Sequence, residues 1–134
     1  MSDEAAVRDV IARIGMVRAH GTPEQYAAFF TPDATWERPP GADGKPVVSG
    51  LQEELAHARE NQAARISGPG SHAYHIIPTT VVDLDGDRAT ATSQLLFVKN
   101  ADRMPEIVKM WILRDELVRT PQGWRVRHRR FERP

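Results

Sequence analysis

HAYHIIPTTVVDL (72–84), RATATSQLLFVK (88–99), EIVKMWILRDELVR (106–119) and WRVRHRRF (124–131) decide the fold. Along them the side-chain pattern changes from a helical spacing to a period of two. The gaps are short: DGD (85–87), NADRMP (100–105) and TPQG (120–123). A period of two sends successive side chains to opposite faces of a strand, and gaps of this composition are hairpin chemistry. The reading is a meander of four antiparallel strands, with one face available to bury something else.

What it buries lies upstream. Val7, Val10, Ile11, Ile14 and Val17 recur at helical spacing and predict a first helix over roughly 3–19, with Asp3 and Glu4 in its first turn and Gly21 breaking it. TPEQ (22–25) is a capping-box pattern opening a second helix that carries Tyr26, Phe29 and Phe30 inward and stops at Pro32. ATWER (34–38) reads as a short strand with Trp36 inward, PPGADGKP (39–46) as a mobile loop, and 49–66 as a third helix with Leu51, Leu55, Ala58 and Ile66 along one side, ended by GPG (68–70). Helices segregated before an antiparallel sheet give an α+β class: a cone-shaped barrel of three helices on a curved, mostly antiparallel sheet, one domain over 1–134. A twisted sheet curling around helices leaves a cavity at its open end.

Composition narrows the function classes. The chain has no cysteine, which excludes disulfides and thiolate chemistry, and a formal net charge of zero, which argues against a general nucleic-acid binder. Its longest apolar runs, such as LLFV (95–98) and MWIL (110–113), fall far short of the roughly 20 residues a bilayer span needs. The acidic start MSDEAAVRD leads straight into a helical pattern, so no membrane partner and a cytoplasmic location are expected. Arg125, Arg127, Arg129, Arg130 and Arg133 crowd the last strand. They read either as its solvated outer face or as a contact for an anion.

The order of elements resembles the nuclear-transport-factor-2-like superfamily, which includes ketosteroid isomerases, limonene epoxide hydrolases, scytalone dehydratase and the SnoaL-like polyketide cyclases. FFTPDATW (29–36), Gly50 before the third helix, His75 ten residues before Asp85, and RDELVRTPQGWRV (114–126) carry the resemblance. It spans nearly the whole chain and implies the cone fold, but this fold hosts many activities.

His75 is the leading catalytic candidate. In scytalone dehydratase and related enzymes a histidine at a similar place acts as general base, and a neutral imidazole with an ordinary pKa near 6.5 suits that work. By strand alternation His75, Ile77, Thr79 and Val81 share a face. The plainer alternative is a core histidine satisfied by a neighbour. The resemblance also implies an aspartate near the end of the first helix, preceded by a tyrosine; here Ala19 and Gly15–Met16 stand in those places. Asp115, on a face with Trp111, Leu113 and Leu117, is the second catalytic candidate, either orienting His75 or held in a structural ion pair. Tyr26, Phe30, Trp36, Leu55, Arg59, Phe97, Trp111 and Leu113 are expected to line the cavity or to be plain core, and His128 to reach it beside Trp124, Val126 and Arg130.

No metal-ligand spacing and no glycine-rich phosphate loop appear, so neither metal nor organic cofactor is expected. The first expectation is a cofactor-independent lyase or isomerase acting by acid–base chemistry on a small apolar or aromatic molecule in an apolar pocket. The alternatives are a non-catalytic ligand-binding or dimerisation module, or an epoxide hydrolase-like enzyme using Asp115 with Arg114 or Arg130. Many small relatives of this fold pair through the outer sheet face, so the resemblance implies a homodimer there if the face bearing Ile112 and Val118 is exposed.

Overall fold

A computed structural model describes residues 1–134. Its elements are α1 (Asp3–His20), α2 (Pro23–Ala27), β1 (Phe30–Arg38), β2 (Val47–Gly50), α3 (Leu51–Ala63), β3 (Tyr74–Asp85), β4 (Arg88–Lys99), β5 (Glu106–Thr120) and β6 (Gly123–Glu132). Six strands form one sheet in the order β2-β1-β6-β5-β4-β3, antiparallel except for the parallel β1–β6 pair. This is the α+β cone expected from the sequence: three helices on a mixed, mostly antiparallel sheet. Helix α1 packs on β3 and also touches β4 and β6, so the sheet wraps around it.

Local chemistry sets the helix ends. Ser2 accepts from the Ala5 amide at 3.1 Å, and Asp3 and Glu4 occupy the first turn of α1. The capping box of α2 forms as the sequence indicates, with Thr22 and Gln25 exchanging bonds of 2.9 and 3.1 Å. Gly21, between α1 and α2, is required by close approach. A Cβ there would lie 2.7 Å from Gln25 Oε1 and 2.8 Å from Val17 Cγ1.

Two boundaries differ from the sequence reading. Helix α2 ends at Ala27 and β1 begins at Phe30, so Pro32 lies within a strand. The β1–β6 register shifts between Phe30 and Thr35, and Pro32 falls in that irregular stretch, where a missing N–H breaks no ladder bond. Ser49 and Gly50 finish a short strand β2, and α3 starts only at Leu51, with Glu53 Oε1 accepting from the Gly50 amide at 3.2 Å.

Bulges decide which side chains face inward. In β3, Ile77 and Pro78 together oppose one residue of β4; in β6, Arg127 is the extra residue between Val126 and His128; in β5, Val108 is. A one-residue insertion flips the alternation beyond it. Thr80 and Val82 therefore face the helices, whereas Thr79 and Val81, expected on the His75 face, are exposed. The inner faces meet α1 in a core of Val7, Ile11, Ile14, Trp36, Leu117 and Val126, each almost fully buried.

Candidate active site

The open end of the cone holds a cavity of about 250 Å³ between the last turns of α1 and α3 and the ends of β3, β4 and β5. Phe97, Trp111 and Phe131 form an aromatic wall, and Arg18, Arg38 and Lys109 stand around it. A narrow crevice continues inward past Arg18, Arg38, His75 and Phe131 to Tyr26, Glu54 and Arg129. The pocket is thus aromatic on one side and cationic on the other, not apolar throughout as the sequence suggested. A larger, shallower groove of about 460 Å³ between α1 and α2 is lined by Met16, Val17, His20 and Phe29, and no carboxylate or guanidinium faces it.

His75 lies in the second position of β3, before the Ile77–Pro78 bulge, and faces the cavity opposite its register partner Phe97 (ring centroids 4.8 Å apart). Burial is the main influence pushing its pKa down to about 3, and the positive charges of Arg18 and Arg129 add to it. The imidazole is therefore neutral at physiological pH. No protein group hydrogen-bonds to it, which leaves its ring nitrogens for a ligand.

Asp115 does not orient His75. It lies directly across from Arg129 on β6, and both carboxylate oxygens are taken: Nε to Oδ1 at 2.7 Å and Nη2 to Oδ2 at 3.1 Å. Both side chains are sealed, at 0% and 4% exposure. Burial works against the Arg129 charge, but Asp115 and the Tyr26 hydroxyl more than offset it and raise its pKa. Of the two readings for Asp115, the structural ion pair is the one the geometry supports. Arg114 and Arg130, the epoxide hydrolase-like partners, bind Glu132 on the outer face at 2.9 and 2.6 Å.

A second pair closes the other side of the crevice. Both terminal nitrogens of Arg38 reach the Glu54 carboxylate, which also accepts from Ser49 Oγ at 2.6 Å, tying β1, α3 and β2 together. Burial would raise the Glu54 pKa, yet Arg38, Ser49 and the nearby Arg18 charge hold it below the usual range. Arg18 itself has no carboxylate partner and stacks on the Tyr26 ring, 5.1 Å from its centroid.

The other expected cavity residues divide. Tyr26, Phe97 and Trp111 stand at the cavity or its crevice. Phe30, Trp36, Leu55 and Leu113 are buried core and do not reach its walls. Arg59 is exposed and binds Glu24 at 2.8 Å. His128 is on the wrong side of the sheet: the Arg127 bulge turns it outward, where Nδ1 meets Thr35 Oγ1 at 2.7 Å, and brings Arg129 in. The sequence reading missed Arg18, Arg38, Glu54, Lys109, Arg129 and Phe131. One signal for Arg18 was present, since Ile14, Gly15 and Arg18 share a face of α1 by helical spacing. Ala19, at the place where the resemblance implies an aspartate, is buried, and its neighbour puts the opposite charge into the pocket.

The profile of the SnoaL-like domain matches residues 1–130. The chain belongs to the SnoaL-like domain family. Solved structures agree on the fold. A nuclear-transport-factor-2-like protein with a cystatin-like fold from Novosphingobium aromaticivorans superposes with a TM-score of 0.75 at 18% identity, over 97% of this chain and 80% of its own. A protein of unknown function with a cystatin-like fold from Nostoc punctiforme gives 0.75 at 17%, over 96% and 89%. A Catenulispora acidiphila structure in complex with S-DNPA gives 0.70 at 24%, over 96% and 91%. No curated protein matches the chain in sequence. No helix of this SnoaL-like chain is long and apolar enough to cross a membrane.

Proposed function

We propose that the chain is a cofactor-independent lyase or isomerase that removes a proton from a carbon next to a carbonyl of a small molecule, with His75 as the base. The observation that carries this reading is a neutral histidine, free of protein hydrogen bonds, facing a cavity beside an arginine that has no carboxylate partner. The imidazole nitrogen takes the proton, and the C–H electron pair moves into the carbonyl to give an enolate. The Arg18 guanidinium stabilises that developing charge in a partly dry site. The electron pair then expels a β leaving group, which takes the proton from the His75 imidazolium, or that proton returns at another carbon. Asp115 has no part in this scheme; it fixes Arg129 and thereby the crevice floor.

Solvent-deuterium exchange into a panel of small β-hydroxy and β,γ-unsaturated carbonyl compounds, followed by proton NMR, tests the reading. A positioned base contributes about 10²–10⁴-fold, and H75Q should lose that much of the exchange rate. Equal exchange by wild type and H75Q overturns the enzyme reading and leaves a ligand-binding module.

A homodimer is part of the same proposal. Ile76, Leu96 and Met110 form one row across β3, β4 and β5 on the outer face, and Ile76 and Met110 are about half exposed. Such a row favours burial against a second copy. Sedimentation at micromolar concentration should give a dimer and M110D a monomer; a monomeric wild type contradicts the assignment.

A further inference from the structure

We infer that the molecule this cavity accepts is a small planar carboxylate, held through its charge by Arg18 with Lys109 at the mouth and through its flat apolar body by Phe97, Trp111 and Phe131. The inference rests on reading this cavity as the substrate site and names the class of molecule that site selects.

The charges around the cavity do not balance. Four cations line it or its crevice: Arg18, Arg38, Arg129 and Lys109. Two carboxylates answer them, and each is committed, Glu54 to Arg38 and Asp115 to Arg129. Arg18 and Lys109 remain, since neither lies within 4.0 Å of a carboxylate oxygen. Arg18 is half-buried, and its stacking on Tyr26 keeps it against the pocket wall. A guanidinium so placed presents a planar fork of donors, which matches a carboxylate better than a point charge would.

The rest of the lining fits the remainder of such a ligand. Phe97 already packs against His75 with the rings tilted by 38°, and Trp111 meets Phe131 edge-on at 6.1 Å, so the aromatic wall is prearranged for a flat body. The volume of about 250 Å³ sits below the range typical of drug-sized ligand pockets and suits one ring with a short side arm. A bound carboxylate also offsets the Arg18 charge, which adds to burial in holding His75 neutral, so an anionic substrate strengthens the base beside it.

Cinnamate and its neutral analogue cinnamamide separate charge from shape. Neither carries an acidic saturated C–H group, so their binding is read apart from proton abstraction. By titration calorimetry, cinnamate should bind at least about tenfold more tightly than the amide, the factor expected for one charge-assisted contact. R18Q should remove most of that preference, K109Q a smaller part of it, and both variants should keep the wild-type melting transition. Equal affinity for the two probes overturns the inference, as does a failure of both to bind or a preference that R18Q leaves intact. If instead H75Q leaves proton exchange unchanged while the cinnamate preference holds, the catalytic reading fails and the carboxylate site stands.

Discussion

The closed and open ends of the cone are built by the same strands and differ in almost every side chain. Followed from closed to open, β5 turns Leu117, Asp115, Leu113, Trp111 and Lys109 inward. β4 does the same with Ala89, Ala91, Ser93, Leu95 and Phe97, and β6 with Trp124, Val126, Arg129 and Phe131. Small and aliphatic residues, together with Trp124, let the sheet close tightly on Val7 and Ile11 of α1. Aromatic and cationic ones hold the other end apart around the cavity. The Asp115–Arg129 pair lies at the seam. The comparison shows a graded interior, with a sealed ion pair separating a packed half from a binding half.

The seam is where the comparison breaks most readily. Removing one partner of a sealed pair leaves the other charge buried, and D115N should cost about 3–5 kcal/mol in urea denaturation. Replacing both by apolar residues of similar size, D115L with R129M, should recover most of that loss while altering the crevice floor. A loss below about 1 kcal/mol for D115N would mean that water reaches the pair and that the two halves are not sealed from each other.

The next contrast is between equivalent truncations on either side of the seam. Leu117 is 1% exposed in the closed end, so L117A should cost about 3 kcal/mol, whereas F97A, on the half-buried cavity wall, should cost about 1 kcal/mol. Equal costs would show that the open end is packed as tightly as the core and offers a ligand no room.

The packed half was largely legible in the sequence, and the binding half was not. Val7, Ile11, Ile14 and Leu117 follow from periodicity alone, because burial of an apolar stripe leaves a pattern of 3.6 or 2. The cavity depends on three bulges, and a bulge is a property of two strands in register, invisible in either strand alone. Strict alternation along β6 puts His128 inside and Arg129 outside; one extra residue at Arg127 reverses both. Pro78 was a readable warning, since proline inside a strand marks an edge or a bulge, and it sits at the β3 bulge. Nothing comparable marks Arg127. The pairing of Asp115 with Arg129, and so the structural reading of the aspartate, depended on that unmarked residue.

The smallest expected effect tests how dry the open end is. The folded His75 pKa is pushed down to about 3 from an ordinary 6.5, so between those values the unfolded chain holds a proton that the folded chain does not. Stability is then complete above about pH 6.5 and falls as pH drops toward 3. Asp3, Glu24, Glu54 and Glu132, all with lowered pKa, lose their contributions only below their ordinary values of 3.8 to 4.5, so the interval from about pH 6.5 to 5 isolates the histidine. The groups around the ring are Arg18 from α1, Tyr26 from α2, Arg38 from β1, Glu54 and His57 from α3, Lys109 from β5 and Arg129 from β6. With Glu54 committed to Arg38, and Arg129 answered by Asp115 behind it, this set disfavours an imidazolium. Over that interval the wild type should lose at most about 2 kcal/mol, less where water enters the cavity mouth, and H75Q should lose less than the wild type. Cinnamate at saturation should shrink the difference by bringing a negative charge beside Arg18. A wild type as flat as H75Q would mean that the cavity solvates the imidazolium, which would make His75 a stronger base than its surroundings imply and the open end wetter than the seam beneath it.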